Sequence, residues 1–171
     1  MSIIINRKLQ SNQWSHPADD EPLTSGDVTL TLKRWLEERE SLGAYDGRIG
    51  IRLLPGDAPE DVAPFLDDVE LIALEFDKFT EGRGYSQAYL LRERVGYQGE
   101  LRALGARRDH VAYMERCGIN AFEPAAPDTA EDLLRGFDEI TVRYQPSQDR
   151  IPLIFRKRAE GAPDKTQETS A

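Results

Sequence analysis

The sequence is poor in the residues from which most cofactor sites are built. Of 171 residues, one is cysteine and two are histidine. Cys117 alone forms no disulfide within the chain, and one thiolate cannot hold a four-cysteine iron–sulfur cluster. His16 and His110 stand far apart in sequence, with no spacing such as H-E-x-x-H. No metal site is therefore expected. Neither G-x-G-x-x-G nor G-x-x-x-x-G-K-[ST] occurs, so no cofactor is evident. Long apolar runs are also missing. No stretch approaches the roughly 20 residues of a membrane span. The opening MSIIINRKLQ lacks a secretory cleavage pattern, so the chain reads as cytoplasmic. Basic residues are in deficit: 22 Lys and Arg against 31 Asp and Glu give a net charge of −9. That charge argues against nucleic acid or an anionic membrane as a non-specific partner.

What is present is a rhythm. SIIINRKLQSNQW at 2–14 reads as an N-terminal hairpin with Ile3–Ile5 as its first strand, and the proline-bearing SHPADDEPLTSG as a loop. Val28, Leu32, Trp35, Leu36 and Leu42 follow at helical spacing. Five strands are then expected, at 48–54, 69–76, 99–104, 119–123 and 139–145. Between them lie helical segments at 57–66, at 84–95, at 107–117 with Gly118 as its C-terminal stop, and from 128. Asp57 with Glu60, and Asp128 with Glu131, have capping-box spacing. The alternation predicts a single α/β domain with a mainly parallel sheet. Residues 1–26 form its hairpin and loop, 27–156 the β/α array, and 157–171 a polar, disordered tail. RIPLIF at 151–156 would serve as an extra strand, a partner segment or a homodimer contact.

Buried parallel strands are normally almost purely apolar. Here each expected strand carries one charge in or near its second half: Arg52, Glu75, Arg102, Glu123 and Arg143. The signs alternate in chain order. Strands that are neighbours in that same order would set each charge beside its opposite. This favours a serial, partial-barrel sheet over a doubly wound one, whose order reverses at a switch point. Five strands do not close an eight-stranded barrel, so extra strands, a second chain or an open edge are required. The charged layer reads either as the floor of an active site or as a polar network that fixes register.

The turn KFTEGRGYS lies at the ligand end of such an array. In one reading Lys78, Arg83, Gly84, Tyr85 and Ser86 bind a phosphate- or sulfate-like anion at a helix start. In the other, Gly82 and Gly84 supply positive φ and Ser86 caps the helix. Glu75, Arg102 and Asp109 are the candidate catalytic groups. Cys117 falls on an apolar helix side and reads as a packed thiol. Arg107 and Arg108 stand before a helix, the unfavourable end for positive charge.

The run LIALEFDKFTEGRGYSQAYLLRERVGYQGELRALG, with DHVAYMERCGINAFE, resembles a bacterial family of unknown function. Its members are described as probable oxidoreductases involved in sulfite reduction, encoded beside the sulfite reductase haemoprotein. The resemblance implies an accessory role in assimilatory sulfite reduction, with that haemoprotein or another sulfur-assimilation protein as partner. A small enzyme with an anionic ligand at the strand ends, and a scaffold without one, are the alternatives. Asp77 stands where the family usually has proline, Ala106 where it commonly has an acid, and Pro124 where many members have leucine.

Overall fold

The computed structural model describes residues 1–139, except 24, 77 and 79–81, together with Ser147. Strands β1 (Ser2–Ile5) and β2 (Lys8–Ser11) form the expected hairpin. Its two-residue loop puts Asn6 at φ 50° and Arg7 at φ 61°, the turn geometry that matches strand twist. Six strands then run parallel in chain order: β3 (Trp14–Ser15), β4 (Asp27–Thr31), β5 (Ile49–Leu53), β6 (Leu71–Glu75), β7 (Glu100–Ala106) and β8 (Ala121–Pro124). Strand β1 adds antiparallel to β8, so the sheet reads β2-β1-β8-β7-β6-β5-β4-β3. The serial order inferred from the charges is observed for β5 to β8, the strands of Arg52, Glu75, Arg102 and Glu123.

This order has a geometric consequence. Laid flat, eight strands would hold the two edges about 34 Å apart, at about 4.8 Å per step. Yet β2 and β3 are those edges, and only Asn12 and Gln13 join them. Three Cα steps span at most about 11 Å. The sheet must therefore curl like a partial barrel, with an unpaired seam between β2 and β3. The eight strands are four of the five expected, β5 to β8, together with the expected hairpin pair and two strands that the sequence reading did not count, β3 and β4.

Curling divides the sheet into an outer and an inner face. Val28, Leu30, Ile51, Leu53, Ile72, Leu74, Leu101 and Phe122 point outward into one apolar cluster. The helices α1 (Leu32–Glu38), α2 (Arg83–Glu93), α3 (Val111–Arg116) and α4 (Ala130–Gly136) contribute Trp35, Ala88, Leu91, Met114 and Leu133 to it. Cys117 is buried in the same layer, and burial pushes its thiol up to about 11.

Several local expectations need correction. The helical spacing from Val28 belongs to a strand and then a helix. Val28 and Leu30 alternate with Thr29 and Thr31, so the V-T-L-T run serves two faces of β4. Thr31 then caps α1 by accepting from the Arg34 amide at 3.2 Å. The 57–66 helix is a 3-10 helix at Pro59–Phe65 with Pro64 inside it. Asp57 there accepts from the Leu54 amide instead of capping. At α4 the capping box is Thr129 with Asp132, one residue beyond the expected pair, and Asp128 accepts from the Arg108 amide. Helix α3 begins only at Val111, so Arg107 and Arg108 precede it, and Arg108 pairs with Glu139 at 2.7 Å. Gly118 is the stop that the sequence suggested, at φ 101°. The strand expected at 139–145 with Arg143, the RIPLIF segment and the tail fall outside the described residues.

Candidate functional site

The inner face is built by register. Thr31, Arg52, Ala73, Arg102 and Ala121 lie side by side on β4 to β8. Two long arginines thus alternate with two alanines, which leave the room inside a curled sheet that the arginines need. Two residues further along, Glu75, Leu104 and Glu123 form the next row. Each glutamate is a diagonal neighbour of an arginine on the preceding strand. Arg52 Nε lies 3.3 Å from Glu75 Oε1, and Arg102 Nη1 lies 3.8 Å from Glu123 Oε2. The first contact is ionic without a directed hydrogen bond, because Arg52 Nε makes none. The sequence suggested that Glu75 faces Arg102. Their strands are adjacent, but Arg102 turns the other way. Its Nε and Nη2 hold Glu100 Oε1 at 2.8 and 2.6 Å, and its Nη1 donates to Asn12 Oδ1 at 2.9 Å.

Residues 12–19 lie against these inner groups and bond to them at several points. Asn12 Nδ2 donates to Glu123 at 3.0 Å. His16 sits between Thr29 Oγ1, at 2.6 Å from Nδ1, and Glu123 Oε2, at 3.1 Å from Nε2. Those partners are on β4 and β8, which a flat sheet would hold about 19 Å apart. One imidazole bridges them only because the sheet curls. Arg52 Nη2 donates to the Pro17 carbonyl at 3.0 Å, Thr31 to Asp19 at 2.7 Å, and Arg34 Nη1 to the Ala18 carbonyl at 2.7 Å. The segment thus ties the strand ends of one half of the sheet to those of the other. Arg102 is only 1% exposed, so these partners replace the water it has lost.

The other predicted site residues do not join this network. Lys78, Arg83 and Ser86 are exposed on the connection from β6 into α2. Asp109 is exposed on the turn before α3, 3.8 Å from His110. Gly84 and Tyr85 face the outer layer. A Cβ on Gly84 would meet the Phe76 ring at 2.6 Å, so this glycine admits a side chain of the same chain. Tyr85 packs on Phe76 at 5.1 Å and on Tyr113 at 5.0 Å, and burial pushes its hydroxyl up to about 12. Neither expected function of the turn's glycines as positive-φ residues holds: Gly82 is at φ −95°, and Gly84 is helical. Ser86 does not cap α2, whose N-cap Gly82 offers no side chain.

Glu75, Arg102 and Glu123 were legible from their spacing, while Asn12, His16, Thr29 and Glu100 were missed as members of the network. The available signals were N-x-W-S-H just after a hairpin and threonines alternating with aliphatics.

A family model described as a bacterial protein of unknown function, DUF934, matches residues 50–155. The chain belongs to that family. No curated protein matches it. The DUF934 match takes in Arg52, Glu75, Arg102 and Glu123 and the whole β6-α2 signature, while Asn12, His16 and Thr29 lie before it. No helix among the described residues is long and apolar enough to cross a membrane.

Proposed function

We propose that this protein is an accessory factor of assimilatory sulfite reduction that acts by docking onto a sulfite reductase haemoprotein. The carrying observation is the inner face. Arg52, Glu75, Arg102 and Glu123, the groups best suited by position to acid–base work, are engaged by residues 12–19 and by one another. A layer tied up in this way supports a register-fixing network, and work done through the outer surface. The sulfur assignment itself draws on the likeness of the F-D-K-F-T-E-G-R-G-Y-S run to proteins of that description. The excess of acidic residues suits a basic partner surface, with association that weakens as salt rises.

The test is a pull-down of the haemoprotein by the tagged full chain, paired with growth of a deletion strain on sulfate or sulfite as sole sulfur source. Capture that is lost at high salt, with growth restored only by cysteine, supports the role. Normal growth on both sources and no capture refute it.

A second reading is a small enzyme that holds an oxyanion at the start of α2. Arg83 and Ser86 are exposed there, beyond an N-cap without a side chain. Arg83→Ala would then abolish a measurable activity while leaving haemoprotein capture intact.

A further inference from the structure

The segment that closes the inner face continues to Pro22, and it has an outer side. A groove of about 460 Å³ opens there, with walls from Ser15, His16, Pro17, Glu21 and Pro22. Its open surface is mainly apolar, and two pyrrolidine rings contribute to it. The volume falls within the roughly 300–1,000 Å³ of ligand pockets. The groove is also pre-formed. Proline fixes φ at positions 17 and 22. The Pro17 carbonyl accepts from Arg52 at 3.0 Å, and the Ala18 carbonyl from Arg34 at 2.7 Å. Ala18 and Glu21 close a turn on each other. The Glu21 amide donates to the Ala18 carbonyl at 3.1 Å, and Glu21 Oε2 accepts from the Ala18 amide at 3.0 Å. Thr31 holds Asp19 at 2.7 Å. A partner docking here has little chain to order, which favours affinity.

The rim of the groove carries charge of one sign. From residue 9 to residue 32 the chain has no Lys or Arg, while Asp19, Asp20, Glu21 and Asp27 are acidic. Asp19, Asp20 and Glu21 are exposed. The two cations beneath, Arg34 and Arg52, do not cancel this field. Each already faces a carboxylate of its own, Glu38 at 3.0 Å and Glu75 at 3.3 Å. An apolar groove with an acidic rim fits an apolar side chain flanked by Lys or Arg. An acidic segment would be repelled, and a second copy of a chain of net charge −9 would bring like charge to the rim.

We propose that this groove is the docking point for a basic segment of the partner, with an aliphatic side chain between Pro17 and Pro22 and Lys or Arg against Asp20 and Glu21. The inference rests on the docking role above and locates its contact.

The test uses the two histidines of the ¹⁵N-labelled full chain. His16 lines the groove, and His110, on the turn before α3, serves as the internal control. Titration with the peptide acetyl-Arg-Leu-Arg-amide should shift the His16 ring resonances saturably and leave those of His110 unmoved. The affinity should fall as salt rises. Acetyl-Glu-Leu-Glu-amide should produce no such shift. Asp20→Asn with Glu21→Gln should weaken both the basic peptide and haemoprotein capture about tenfold. Glutamine at position 21 keeps an oxygen for the Ala18 amide. Asp67→Asn with Asp68→Asn makes the same charge change at exposed positions outside the groove, and should leave both unchanged. The assignment is overturned if the His16 shift is absent, is reproduced by the acidic peptide, or survives in the Asp20 and Glu21 variant. Equal loss of capture in the two double variants would overturn it as well, by assigning docking to overall charge. So would a His16 shift on concentrating the chain alone, which would make a second copy the occupant. If the wild-type chain captures no haemoprotein, the docking role fails, and the peptide titration still decides the groove.

Discussion

Gly84→Ala separates two accounts of the glycine turn by the sign of a stability change. Helix propensity alone favours alanine over glycine by about 1 kcal/mol in a helix. If Gly84 were present only to let a ligand approach, the substitution would stabilise the free protein. The packing argues otherwise. The new methyl would sit 2.6, 2.7 and 3.1 Å from three carbons of the Phe76 ring, where contact normally lies at about 3.5–4.0 Å. The ring is itself buried and seated edge-on to Tyr85 at 5.1 Å, so it can retreat only by disturbing a second aromatic. Overpacking of this kind costs roughly 1–3 kcal/mol. Set against the propensity gain, the net loss is about 1 kcal/mol. For a chain of 171 residues that lowers Tm by about 2–4 °C. Thermal unfolding followed by circular dichroism reads this directly. In a Phe76→Leu background the obstruction is smaller, and the same substitution should raise Tm by a similar amount. A rise in the wild-type background, or the same shift in both, would refute the packing account.

His16→Ala should remove the bridge from β4 to β8 and leave Thr29, which is fully buried, with one partner fewer. A loss of about 2–3 kcal/mol is expected from two hydrogen bonds, one of them to a carboxylate, as read from the urea midpoint. The pair formed by Arg48 holds the Asp27 carboxyl below its ordinary range, chiefly through the side-chain hydrogen bond. A depressed folded value contributes stability above the unfolded pKa and loses it as pH falls through the folded one. Asp27→Asn should therefore flatten the stability profile on the acid side of about pH 4, and an unchanged acid limb would contradict the pairing. Burial raises Cys117 to about 11 and Tyr97 to about 12, so both stay neutral in the fold after their unfolded counterparts begin to ionise. Stability should fall as pH rises above about 9, and Cys117 should react with a thiol reagent at pH 8 only on unfolding. Prompt labelling of the folded chain would show the thiol to be accessible.

The fold class and the serial order of β5 to β8 were legible in the sequence, and the reason is local. Strand and helix periods differ, glycine marks a helix stop at Gly118, and a charge on an otherwise apolar strand needs a partner on the next one. Arg52, Glu75, Arg102 and Glu123 carried that information in their spacing. Which glutamate each arginine chooses was not local. Arg102 is claimed by Glu100 and by Asn12, 90 residues away, and that choice depends on where the curled sheet returns the N-terminal segment. The helical spacing at Val28 misled for a similar reason. A short strand and a short helix in succession imitate one longer helix until the neighbouring strand pairs with the first of them. The part played by His16 was likewise invisible in sequence, because its two partners meet only when β4 and β8 are rolled toward each other. Sequence placed the charges on the strands; the closing of the sheet decided which of them meet, and what lies over them.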